Sequence, residues 1–180
     1  MNGEAMPFSY CVSCFENAEQ SVVDSIKAII QDAVVLVPML ERLEKHNGQW
    51  ERKQIKLTPG YVMIYYFGHI PVEKIISLSN VNRVLFYYED KVTGDCRTQS
   101  KVYELIGEDR RFAEWIYRNN GVIGVSKAVI ENGSFFSVIE GPLKEFCGSI
   151  KRLDKHNRKA LVRGLFNNNN YEFWMSFDWA

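Results

Sequence analysis

The sequence predicts an α+β protein in two parts: an N-terminal antiparallel sheet with flanking helices, then a small C-terminal β-barrel of about five strands. Three observations carry this. Strand and helix periodicities alternate from Pro7 onward, Gly121 to Lys127 has the composition of a linker, and from Ala128 the texture changes to short β-runs separated by turn residues. The expected domains are therefore 7–120 and 128–180, joined by 121–127.

Taken in order, Phe8 to Phe15 is aromatic and β-favouring after Pro7, which predicts a first strand. Asn17 is the expected N-cap of a helix whose apolar face is Val22, Val23, Ile26, Ile29 and Ile30. Ala33 to Pro38 is apolar and β-branched, and its continuation through Met39 and Leu43 fades into charges, as in a strand leaving the core. His46-Asn47-Gly48 is a hairpin turn, because Asn-Gly tolerates positive φ at both central positions, so a strand returns through Trp50, Lys53, Ile55 and Leu57. Pro59-Gly60 breaks the ladder before Tyr61 to Phe67, an uncharged run expected to be a central strand. A short helix from Pro71 to Leu78 and a strand from Val84 to Tyr88 follow. Gly94 to Gly107 reads as a polar loop, and Asp109 to Tyr117 as an amphipathic helix ended by Asn119-Asn120-Gly121. In the second part, strands are expected at Ser137 to Ile139, Cys147 to Arg152, Ala160 to Leu165 and Tyr171 to Phe177.

The 22 basic and 22 acidic residues cancel, and 46% of the chain is apolar, which fits a globular protein and not a uniformly basic nucleic-acid coat. Split by domain, the balance is uneven: residues 1–126 hold 14 Lys/Arg against 16 Asp/Glu, and residues 127–180 hold 8 against 6. Between Lys144 and Arg163 seven cations (Lys144, Lys151, Arg152, Lys155, Arg158, Lys159, Arg163) oppose only Glu145 and Asp154, and His156 sits among them. That run is either the solvated face of a barrel loop or a nucleic-acid surface. The first residues lack the basic start of a secretory signal, and no apolar stretch reaches the ~18 residues of a membrane span. The expected location is the cytoplasm, with Cys11, Cys14, Cys96 and Cys147 as reduced thiols.

Cys11-Val12-Ser13-Cys14 has CxxC spacing, yet no second ligand pair accompanies it, and residues three apart on a strand point to opposite faces. Ordinary strand cysteines are expected, with no metal and no cofactor. No Gly-rich phosphate loop, HExxH or GxSxG pattern occurs, and the carboxylates Glu41/Glu44 and Glu89/Asp90 lie among basic neighbours as solvated charge. The chain is not expected to be an enzyme.

Tyr10-Cys11-Val12, Asn17-Ala18-Glu19 before a helix, Val34 to Pro38, Glu51-Arg52-Lys53, and Leu57-Thr58-Pro59-Gly60-Tyr61-Val62 stand in the first part. Val138-Ile139-Glu140-Gly141-Pro142-Leu143, Phe146-Cys147-Gly148, Ile150 and Leu153-Asp154 stand in the second. In this order they resemble the NusG family of transcription elongation factors: an NGN domain followed by an SH3-like KOW barrel. Asp109 to Tyr117, Gly121 to Ser126, and Asp154 to Arg158 look more like the specialised LoaP paralogues, which are processive antiterminators whose KOW domain is associated with a structured RNA leader. The resemblance implies a monomer whose NGN domain docks on the clamp helices of RNA polymerase through Thr58, Tyr61 and Met63, with Ser13 and Phe15 nearby. Thr58 stands where the family usually has Phe, and Asn17 where it usually has Gly. For the barrel it implies nascent RNA held by the Lys144 to Arg163 cluster. The alternative is a ribosomal protein or termination factor held by Leu143 and Phe146, as in housekeeping relatives. An adaptor that binds RNA or the ribosome without polymerase is the reading from another class.

Overall fold

The computed structural model describes residues 5–93, 96–132 and 135–180. Its strands are β1 (Phe8–Cys14), β2 (Val34–Leu36), β3 (Met39–His46), β4 (Gln49–Lys56), β5 (Tyr61–Tyr66), β6 (Val81–Val84), β7 (Tyr87–Thr93), β8 (Cys96–Val102), β9 (Val122–Ile123), β10 (Ser126–Glu131), β11 (Phe135–Glu140), β12 (Ile150–Asp154), β13 (Lys159–Phe166) and β14 (Asn169–Trp179). The helices are α1 (Glu19–Ile29), α2 (Val72–Ile76), α3 (Gly107–Arg118) and a 3-10 helix (Pro142–Ser149). These elements pack into two compact units, residues 1–37 with 58–117, and residues 38–57 with 118–180. The β3–β4 hairpin, expected with the first domain, thus makes its contacts in the second unit.

The first unit is built on the sheet β2-β5-β1-β6. Antiparallel register pairs Tyr10 with Ile64, Val12 with Val62 and Ser13 with Tyr61. Period-two alternation sends Tyr10, Val12, Cys14, Val62 and Ile64 to one face, where α1 seats Val22, Val23 and Ile26 on them. Cys11, Met63 and Tyr65 take the other face and are fully or almost fully buried. There the Tyr65 hydroxyl donates to the Ala113 carbonyl of α3 at 2.7 Å, and the Tyr65 and Tyr117 rings meet at 4.8 Å. The two CxxC cysteines therefore diverge as expected.

Several local expectations change. Asn17 does not cap α1: the helix begins after Ala18 without a side-chain cap, and Asn17 takes a left-handed φ of 69°, the conformation for which Gly is the usual residue. The strand expected through Pro38 is two strands, because Pro38 has no N–H for the ladder and the chain changes sheets there. The loop expected over Gly94 to Gly107 is largely the β7–β8 hairpin, and residues 94–95 lie outside the described residues. Its polar alternation misled because neither face of a two-stranded ribbon must be apolar.

In the second unit the five-stranded sheet runs β11-β10-β14-β13-β12, with β10 and β14 parallel. Buried Ala128, Val138, Leu143, Ala160, Val162, Phe173, Met175 and Phe177 form its core. Cys147 to Ser149 belong to the 3-10 helix and not to a strand; Pro142 opens that helix after Gly141, whose φ of 98° permits the bend. Part of the expected linker is ordered as β9 and the start of β10. β9 pairs with β3, extending the hairpin into the sheet β4-β3-β9, and the Leu43 amide donates to Ser176 Oγ of β14 at 2.9 Å.

Candidate functional site

Two surfaces collect the residues singled out by the sequence. The first lies at the end of β1 and β5. Phe15 is 61% exposed there, Ser13 and Tyr61 are half-buried, Thr58 is buried, and Met63 is wholly enclosed. Of the residues assigned to polymerase contact, Phe15, Ser13 and Tyr61 are accessible, while Met63 packs beneath them within the sheet.

The turn that carries Thr58 and Tyr61 is held on several sides. The Gly60 carbonyl accepts from the Cys14 amide at 2.8 Å, and the Gly60 amide donates to Glu19 Oε1 at 2.9 Å. The Phe15 amide donates to the Asn80 carbonyl at 3.0 Å. Gly60 has φ 78°, and a Cβ there would sit 3.0 Å from the Cys14 carbonyl oxygen, so a side chain at this position is strained on two independent grounds. Glu19, read from the sequence as an ordinary first-turn acid, is 2% exposed and ties α1 to the turn. No short-range pattern could have joined two residues so distant in sequence.

The second surface lies on β12, β13 and the turn between them. Lys151, Arg152, Lys155, His156 and Arg163 are exposed, Lys159 is half-buried, and Lys144 is exposed on the 3-10 helix. β12 is an edge of its sheet, so Lys151 and Arg152 lie along an unshared strand border among the described residues. The turn is shaped by Asp154, whose carboxylate accepts from the Asn157 side chain at 2.8 Å and from its amide at 2.9 Å. These bonds, with the charges of His156 and Arg152 nearby, hold the Asp154 carboxyl below its usual range.

The cluster is not uniform. Arg163 pairs with Glu172 at 3.0 Å, and Arg158 pairs with Asp178 while its guanidinium lies 4.6 Å from the centre of the Trp50 ring. Lys151, Arg152, Lys155, His156 and Lys159 form no ion pair among the described residues. Leu143 is fully buried, its amide donating to Ser126 Oγ, and Phe146 is half-buried against Phe173 at 5.9 Å. The apolar pair is therefore mostly core, and the exposed chemistry of this face is cationic.

Among the described residues no group of His, Cys, Asp and Glu is placed to hold a metal ion, and no helix is long and apolar enough to cross a membrane. Burial pushes the Cys11 thiol well above its ordinary range, with Asp109 and Cys14 adding to the effect. That is the reverse of what a reactive cysteine needs.

Residues 9–110 match the family described as transcription termination factor nusG. The chain is 30% identical over 165 residues to the transcription termination/antitermination protein NusG of Xylella fastidiosa strain 9a5c, covering 85% of this chain and 86% of that one. The protein of the same name from strain Temecula1 is 28% identical over the same coverage. A structure described as domain interaction in Thermotoga maritima NusG superposes with a TM-score of 0.52 at 17% identity, over 94% of this chain and 93% of that one, and supports the shared fold. A family match across most of the first unit, full-length relatives and a matching architecture converge: the chain belongs to the NusG family of transcription termination/antitermination proteins.

Proposed function

We propose that this protein is a processive antiterminator of the LoaP type, acting in the cytoplasm as an NGN domain (7–120) joined to a KOW barrel (128–180). The NGN domain docks on the clamp helices of RNA polymerase through Phe15, Ser13 and Tyr61, on the rigid turn anchored by Gly60 and Glu19. An exposed phenylalanine flanked by a half-buried tyrosine is the kind of aromatic anchor that dominates protein interfaces. No covalent step is required. A factor that binds the elongating conformation more tightly than the paused one shifts the population, a tenfold preference corresponding to about 1.4 kcal/mol.

The barrel holds a structured nascent RNA on the β12–β13 face. The observation that carries this reading is the exposure of Lys151, Arg152 and Lys155, without ion pairs among the described residues, on one edge strand and its turn. A-form RNA is gripped largely through phosphates and shape, which such a face can supply. The enclosure of Leu143 favours RNA over an apolar protein contact at this barrel.

The test is transcription through intrinsic terminators by the cognate polymerase, with the full-length protein, on templates with and without candidate leader RNA upstream. Increased read-through that requires both the leader and Lys151, Arg152 and Lys155 is expected. Read-through indifferent to the leader would reduce the protein to a general elongation factor, and failure of immobilised full-length protein to retain polymerase would remove the elongation role altogether.

A further inference from the structure

The tip of the β3–β4 hairpin meets the basic turn of the barrel. Lys45 and Trp50 are directly opposed across the hairpin, with Lys45 Nζ 5.9 Å from the centre of the indole ring. The same ring carries the Arg158 guanidinium at 4.6 Å. Arg158 is fixed from the other side by Asp178, and its carbonyl accepts from the Phe177 amide at 3.0 Å. It also holds a left-handed φ of 52°, so its backbone is constrained as well as its side chain. A planar guanidinium between an indole face and a carboxylate is committed on both sides, which leaves little of it for a phosphate.

Lys45 is different. On this face of the hairpin Arg52 is neutralised by Glu41 at 3.1 Å, whereas Lys45 is exposed and forms no ion pair among the described residues. Lys155, on the barrel turn that Arg158 closes, is in the same condition. Lysines without carboxylate partners, presented by two elements that share one indole ring, form a cationic surface complementary to a phosphate backbone.

We propose that the hairpin tip is the second half of the RNA-binding face: Lys45 and Lys155 engage neighbouring phosphates of one RNA. Arg158 is the positioning residue that holds the two elements together through Trp50. This rests on the RNA reading of the barrel, which it extends to a segment assigned by sequence to the other domain.

The experiment measures binding of a fluorescein-labelled synthetic RNA stem-loop to the full-length protein across a salt series, starting at low ionic strength. Lys45→Ala is expected to weaken binding and to lower the slope of log K against log salt by about 1, the change for one phosphate contact. Trp50→Ala, which removes no charge, is expected to weaken binding and lower the slope by the same amount. Trp50→Phe, which keeps an aromatic face for Arg158, is expected to restore both. In the Trp50→Ala background Lys45→Ala should add nothing. Circular dichroism and thermal melting establish that each variant is folded, and Lys45→Ala carries the test by itself if Trp50→Ala is not. If Lys45→Ala leaves affinity and slope unchanged while Lys151, Arg152 and Lys155 changed together to Ala abolish binding, the hairpin proposal is overturned and the barrel reading stands. If that triple variant also binds normally, both fall.

Discussion

Replacing Glu19 by alanine removes the acceptor that the Gly60 amide uses, in a place water cannot reach. Glu19 is 2% exposed and its Oε1 lies 2.9 Å from the Gly60 nitrogen, so the variant loses a hydrogen bond and leaves a buried donor unsatisfied. The two effects together are worth about 2–3 kcal/mol. For a protein of this size that corresponds to a fall in Tm of about 4–12 °C. Glu19→Gln separates the contributions. It keeps an oxygen acceptor at the same position for the Gly60 amide, so a smaller loss of about 1 kcal/mol is expected. Urea denaturation followed by circular dichroism measures both. Because Gly60 also fixes Cys14, and with it the start of the Phe15 segment, the alanine variant should release polymerase from immobilised protein at lower salt than the glutamine variant does. A Glu19→Ala protein within 0.5 kcal/mol of the parent, a margin of about 1–2 °C, would refute the role given to this contact. So would equal losses for Ala and Gln.

Two further outcomes follow from the same kind of reading. Cys11 should resist iodoacetamide at neutral pH in the folded protein and react only after denaturation, since it is fully buried and its thiol is pushed up by that burial; peptide mapping that finds Cys11 alkylated before Cys14 under native conditions would contradict this. The Asp154 carboxyl is held low by the Asn157 side chain and amide, so the stability it lends the β12–β13 turn is present above the ordinary carboxylate range and is lost as pH falls through the lower folded value. In an NMR titration the Asn157 amide should keep its native shift until the pH is below the ordinary Asp range, and a midpoint at or above that range would show the turn to be held otherwise.

How much was legible in the sequence varies with the range of the contact. Asn47-Gly48 declares its hairpin because the two left-handed positions lie side by side, with φ 48° and 84°. Val22, Val23 and Ile26 declare the buried side of α1 by their spacing, and the divergence of Cys11 and Cys14 follows from strand period alone. Lys151, Arg152 and Lys155 are visible as a charge run, and their exposure on an edge strand and its turn supports reading the run as a surface. Asn17 was misjudged because Asn serves both as an N-cap and as a left-handed residue, and only the chain path distinguishes the two. Arg158 belongs to the same charge run, but a charge tally cannot see the carboxylate and the indole brought to it from β14 and β4.

By itself the sequence determined the fold class, the family and the location of the basic cluster, since each is written in local periodicity, in turn residues or in short motifs read in order. Tertiary structure alone decided three other matters. Glu19 anchors the turn beneath Phe15, Met63 is core and not surface, and the β3–β4 hairpin packs with the barrel through Leu43, Trp50 and Arg158. Each depends on a contact between residues far apart along the chain, and such contacts are selected by the free energy of the whole packed unit, which no segment of the sequence carries on its own.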